Sequence, residues 1–255
     1  MKRQVLKKRV RILLVILLAG IALLTAAAAV LRIYDLRQQA QPDTPQASVE
    51  EQELAENPFW VNNVEIPEAG GVALNHVHIP WENSRRPGEI REIHYLTIHE
   101  TDNRGSSADA AAHSSLLTTD TSDVTGWHYT VDDHSIYHNI PDNEIGWNAG
   151  DNRTELGGNM NGIGIEMCVN LSNDFEQTLR NTAALAAELL VAYDLNVDDV
   201  RLHSDFMDKV CPHRLMTEGR VAEFYEMIRQ AYVQRAREAL ETELWAVIES
   251  GSHVE

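Results

Sequence analysis

The chain has 255 residues, a formal net charge of −18 and two cysteines. That length allows one or two domains, and two cysteines are too few for a disulfide framework. Beyond residue 31 the balance is 15 basic against 39 acidic residues, or −24, a field that repels phosphate backbones and excludes a nucleic-acid partner.

The chain opens on a basic stretch, residues 1–11, in which Lys2, Arg3, Lys7, Lys8, Arg9 and Arg11 face no acid. Residues 12–31, ILLVILLAGIALLTAAAAVL, carry no charge; as a helix they span about 30 Å, the thickness of a bilayer core. We read this run as one transmembrane anchor with its basic side cytoplasmic and the rest of the chain extracytoplasmic. A cleaved signal peptide is the alternative, since the alanines at 26–29 offer small residues to a peptidase, although the apolar run exceeds the roughly 7–15 residues usual there. Residues 32–71, which include QQAQPDTPQASVEEQELAENP, are rich in Gln, Pro and acids and read as a tether.

Strand-like and helix-like pieces then alternate. HYLTIH (94–99) is rich in aromatic and β-branched residues, and SADAAAHSSLL (107–117) reads as a short helix. WHYTVDD (127–133) and SIYHNI (135–140) read as a hairpin, and GIGIEMCV (162–169) as a buried central strand that carries one acid. NDFEQTLRNTAALAAELLVAYD (173–194) predicts a helix capped by Asn173 with Glu176, and the pattern from Thr217 to Ile248 is again helical. The fold class expected is α/β: a central mixed sheet flanked by helices over residues 72–235, preceded by one transmembrane helix and followed by a helical tail, 236–255.

The segment RLHSDFMDKVCPHR (201–214) concentrates groups that bind metals and move protons. On the residues alone it is either a solvated loop or part of a metal site. A catalytic zinc takes three ligands from His, Cys and carboxylate and leaves a fourth position open. His99 at a strand end, with His203 and Cys211 from this segment, would form such a set, and Pro212 argues that the connection is a loop.

The phrases TIHET (97–101), GWHYTVDD (126–133), WNAGD (147–151), GIGIEMCVN (162–170) and HSDF…KVCPHR (203–214) resemble, in order and spacing, the blocks of the zinc-dependent N-acetylmuramoyl-L-alanine amidases. That group includes bacterial and phage wall amidases, phage T7 lysozyme and the peptidoglycan recognition proteins; the likeness covers roughly residues 76–230 and is strongest to amidases of Gram-positive bacteria and their phages. It implies one Zn²⁺ held by His99, His203 and Cys211, with Glu166 moving protons and Lys209 stabilising an oxyanion. The implied reaction is hydrolysis of the amide between N-acetylmuramic acid and L-alanine in peptidoglycan. A non-catalytic sensor or scaffold of the same fold is the alternative.

Trp127, His128 and Asn148 are candidate substrate contacts. Trp127 stands where several relatives have a tyrosine, and Asn148 where many have a histidine. Glu100, next to His99 on a strand, faces the other side and reads as structural. Cys168 shares parity with Glu166; a disulfide to Cys211 would destroy the site, so both are expected free. His113, His134, His138 and His213 read as surface or supporting groups.

Overall fold

The first two strands, β1 (Glu68–Ala69) and β2 (Val72–His76), pair antiparallel. They turn through Gly70 and Gly71 at φ of 60° and 81°, the left-handed region that glycine occupies without a Cβ penalty. The computed structural model describes residues 64–251. The run 12–31, the basic stretch before it and the tether as far as residue 63 lie outside the described residues. Among the described residues no helix is long and apolar enough to cross a membrane. Ile66 and Ala69 are buried in the main core, so the packed domain takes in residues ahead of position 72, where composition placed its start.

Strand β3 (Tyr95–Glu100) follows, then helix α1 (Ala110–Thr119), the hairpin β4 (Tyr129–Val131) and β5 (Ile136–His138), a short α2 (Gly158–Asn161), β6 (Gly162–Met167) and α3 (Phe175–Ala192). The last elements are β7 (Val200–Leu202), α4 (His213–Thr217) and α5 (Val221–Gly251). The strands make one seven-stranded sheet in the order β1-β2-β5-β4-β6-β3-β7. Strands β4, β6, β3 and β7 run parallel, while β5 is antiparallel to β4. The sheet is therefore mixed, and helices flank it, as the alternating pattern predicts.

Local chemistry accounts for the boundaries. The β4–β5 turn is held by Asp132, whose Oδ1 accepts from the backbone N–H groups of His134 and Ser135. Asp109 caps α1, accepting from Ala112 N at 2.8 Å. The cap of α3 falls one residue later than the sequence suggests: Asp174 accepts from Gln177 N. Asn173 is occupied elsewhere, accepting from Asp133 N and donating to Cys168 O. The helical pattern after Thr217 breaks at Gly219, whose φ is 69°, which separates α4 from α5.

The main core lies between one sheet face and α3, where Ile98, Ile165, Tyr129, Ile136 and Leu74 meet Leu179, Ala186 and Leu190. Phe224 and Ile228 of α5 close it from outside. Beyond Tyr232 the helix leaves the core, and Leu240, Leu244 and Trp245 are exposed. Phe224 is 1% exposed. Replacing it with Ala should cost about 3–5 kcal/mol, read as a lower urea midpoint with an unchanged denaturant slope.

Candidate metal centre and active site

His99 is the fifth residue of β3 and pairs laterally with Glu166 on β6. Directly paired residues share a sheet face, so the carboxylate and the imidazole project together, away from the α3 core. Ile98 and Glu100 project the other way. Glu100 lies on that side as a structural group: its two oxygens accept from Arg214 N and Leu215 N at the start of α4.

His203 follows β7 immediately, and β7 adjoins β3. The loop from 203 to 211 is tied at its ends by Ser204 N donating to Cys211 O at 3.1 Å, and at its base by Leu202 N donating to Asp205 Oδ2. Lys209 is exposed on this loop. The result brings His99, His203 and Cys211 together, all three buried, with potential ligand atoms within 4.8 Å of one another. Both cysteines are free, and Cys168 lies instead beside His113, its Sγ 4.0 Å from Nδ1.

Hydrogen bonds orient the imidazoles. Asn148 donates through Nδ2 to Gly146 O, which turns its Oδ1 toward His99 Nε2 at 3.1 Å. His99 thus carries its proton on Nε2 and presents the Nδ1 lone pair. His203 Nε2 is buried without a hydrogen-bond partner, and the two Nδ1 atoms stand 3.0 Å apart. A proton on His203 Nδ1 or a cation between the rings satisfies that contact. Bonds of 2.0–2.1 Å to one tetrahedral ion would set two such nitrogens about 3.3 Å apart, close to the separation found. The donor set and its spacing therefore fit zinc.

Electrostatics agree with neutral imidazoles. Burial holds His99 well below the usual imidazole range, reinforced by His203 and Lys209; burial and Lys209 also lower His203. Burial pushes the Cys211 thiol up to about 12, and the Glu166 carboxyl up to about 8 against the pull of Lys209. Glu166 is half-buried, and its Oε2 has no hydrogen-bond partner. It faces His99 with an acceptor unused.

The three proposed substrate contacts fall differently. Trp127 packs with Ile79, Leu117 and Ile140 and donates from Nε1 to Thr130 Oγ1. His128 is fully buried, accepts from Gly164 N and bonds Glu144 O. Burial, with the nearby Arg91, lowers it to about 3. Asn148 is 8% exposed and committed to His99 and Gly146. Sequence reasoning missed that link between Asn148 and His99.

The structure resembles the catalytic domain of XlyA, with 36% identity and a TM-score of 0.58 over 62% of this chain and 99% of that domain. A family model described as N-acetylmuramoyl-L-alanine amidase matches residues 89–214. The chain belongs to the N-acetylmuramoyl-L-alanine amidase family. Among curated relatives, the amidase XlyA of Bacillus subtilis is 40% identical over 138 residues, covering 54% of this chain and 46% of that protein. The amidase CwlH of the same organism is 36% identical over 145 residues, 57% of each chain. This chain thus spans about half the length of the curated family members it matches.

Gly164 is needed by this arrangement. A Cβ there would lie 2.8 Å from Asn148 Cγ and Oδ1, inside van der Waals contact with a side chain held by two hydrogen bonds. Gly164→Ala should destabilise the domain by about 1–3 kcal/mol. In an Asn148→Ala background most of that cost should vanish, a coupling that urea denaturation of the double-mutant cycle measures.

Proposed function

We propose that the chain is a zinc-dependent N-acetylmuramoyl-L-alanine amidase that hydrolyses the amide between the lactyl group of N-acetylmuramic acid and L-alanine of the stem peptide. The observation that carries this reading is the buried His99, His203 and Cys211 set with the unbonded Glu166 oxygen beside it. Family membership supplies the substrate class.

Zinc held by those three side chains supplies Lewis acidity, which lowers the pKa of water from 15.7 to about 7. Glu166, on the same face as His99, takes a proton from the attacking water and returns it to the departing amine. Its position one strand away keeps it out of the ligand set. Lys209 projects from the loop that carries the two later ligands, and its ammonium stabilises the negative charge that grows on the carbonyl oxygen. Asn148 acts through His99: it fixes the ring's tautomer and direction. Trp127 and His128 support the site from inside the domain and leave recognition of the substrate to other groups.

The uncharged run at 12–31 behind six basic residues supports a single-pass anchor with this domain outside the membrane. A tether of about 30–40 residues would let a wall hydrolase reach its substrate from the bilayer. Cleavage after the alanines at 26–29 would instead release it, and the apparent mass in membrane fractions distinguishes the two.

The test is to incubate the full chain, solubilised in detergent, with purified peptidoglycan and to identify products by mass spectrometry. Stem peptides beginning with free L-alanine should appear, stop on chelation and return with zinc. A metal-loaded chain that binds peptidoglycan and frees no stem peptide would instead be a sensor. Cleavage at a peptide crosslink would mean another amide is the substrate.

Variants separate the roles. Glu166→Gln should lower kcat by about 10²–10⁴-fold with zinc content unchanged, and Lys209→Met by about 10²–10³-fold. Asn148→Ala should weaken zinc affinity by about 10–100-fold, measured by competition with a chromogenic chelator.

A further inference from the structure

A second group of imidazoles lies on the other side of the sheet. His76 ends β2 and pairs with His138 on β5, which pairs with Tyr129 on β4, then Ile165 on β6 and Ile98 on β3. This lateral row shares the face of Ile98, opposite to His99 and Glu166. The ladder continues past β2, with Val77 N donating to His138 O and Ile79 N to Asn139 O. The advance is two residues against one, an irregular step, and it brings the His78 ring to 4.8 Å from that of His138, centroid to centroid.

We propose that His76, His78 and His138 form a second metal site, for a first-row transition ion of the zinc class, separate from the catalytic centre.

The ligand nitrogens of the three rings lie within 4.8 Å of one another, and His76 Nδ1 is 3.1 Å from His138 Nδ1. That is the spacing of two nitrogens on one ion, as at His99 and His203. Three imidazoles with no thiolate or carboxylate ligand suit Zn, Cu or Ni over Mg or Ca. The ring of His138 is fixed in advance. It stacks on Tyr129 with centroids 4.4 Å apart and planes within 6°. Its far nitrogen, Nε2, is 3.3 Å from Asp142 Oδ1. Asp142 is fully buried, and its other oxygen accepts from Tyr193 Oη at 2.7 Å.

A proton on His138 Nε2 facing that carboxylate would leave the Nδ1 lone pair for a metal, as metal-binding histidines require, although neither Nε2 nor Asp142 Oδ1 completes a hydrogen bond in this structure. A plain hydrogen bond between His76 and His138 accounts for their contact alone. It explains neither the third ring nor the buried carboxylate 3.3 Å from the far side of His138. Arg86, the nearby cation, is neutralised by a bidentate pair with Glu144 at 2.6 and 2.8 Å. His76 and His78 are exposed, so an ion reaches the site from solvent and keeps water in its remaining positions. Bound there it would clasp β2 to β5, fastening the β1–β2 hairpin to the sheet.

The test uses the full chain in detergent, loaded with zinc and dialysed, beside His76→Ala/His78→Ala and Cys211→Ala. Elemental analysis should give about two zinc ions per wild-type chain and about one in each variant. Cobalt substitution adds a signature: the double-histidine variant should keep the thiolate-to-cobalt charge-transfer band and lose only d–d intensity. Its hydrolysis of peptidoglycan should match the wild type, while zinc should raise Tm less than in the wild type. Because both replaced side chains are exposed, apo variant and apo wild type should unfold at the same temperature. Equal zinc in the double-histidine variant and the wild type, or saturation of the wild type at one ion lost only with Cys211, would overturn the proposal.

Discussion

Two imidazole nitrogens facing each other at 3.0 Å impose the condition that the rest of this domain satisfies. Lone pairs so close are repulsive in a buried place, and the outer nitrogen of His99 is engaged by Asn148 Oδ1, so the gap between the rings takes a cation or a proton carried by His203. What makes it possible is rigidity behind each ring. His99 is held by the amide of Asn148, which is itself anchored on Gly146. His203 is held by a loop whose ends are tied through Ser204 and Cys211. Without those restraints either ring would rotate, and the site would lose its direction before it lost any ligand.

The sheet explains how residues 104 positions apart in sequence come together. Parallel pairing sets β6 and β7 on either side of β3, so the ends of the three strands deliver His99, Glu166 and His203 to one place. Helix α3 covers the opposite face, where Ile98, Ile165 and Leu179 pack, and α1 covers the His99 face only over β4 and β5, where Ser114 accepts from Asn139. Alternation along β3 then does the sorting: Ile98 enters the core, His99 enters the site, and Glu100 returns to hold the first turn of α4 through two backbone N–H groups. Since α4 starts two residues after Cys211, Glu100 positions the third ligand by positioning that turn.

Much of this was legible because it rests on local chemistry. Hydrophobic alternation gave the β4–β5 hairpin, and helical periodicity gave α3. The parity of His99 and Glu100 along one strand put them on opposite sides, while the register of β3 with β6 was needed to set Glu166 on the side of His99. The cap of α3 was misplaced by one residue because Asn173 and Asp174 are equally good caps in isolation. A tertiary bond from Asp133 N to Asn173 decides between them. The β1 strand escaped notice because two residues carry no period. Asn148 was hard for a similar reason: its partner is 49 positions away, and a strand pattern holds nothing about which amide will find which ring. The His-x-His at 76 and 78 was visible on the page, but His138 joins it only through the pairing of β2 with β5, which needs the sheet order.

Comparing the two faces shows what distinguishes a centre built for reaction from one suited to holding. On the face of His99 a thiol completes the ligand set, a carboxylate with an unused oxygen lies one strand away, and an ammonium projects from the loop above. In the proposed reaction each of those groups has a part in moving a proton or stabilising charge. On the face of His138 the carboxylate is fully buried, hydrogen-bonded by Tyr193 and 3.3 Å from the ring, where it reaches no solvent. No lysine stands among the groups shown to meet those rings. On the two proposals, the same side-chain chemistry thus serves hydrolysis on one side of the sheet and a clasp on the other. The decisive difference is whether an acid–base group is left with an open oxygen next to the ligands.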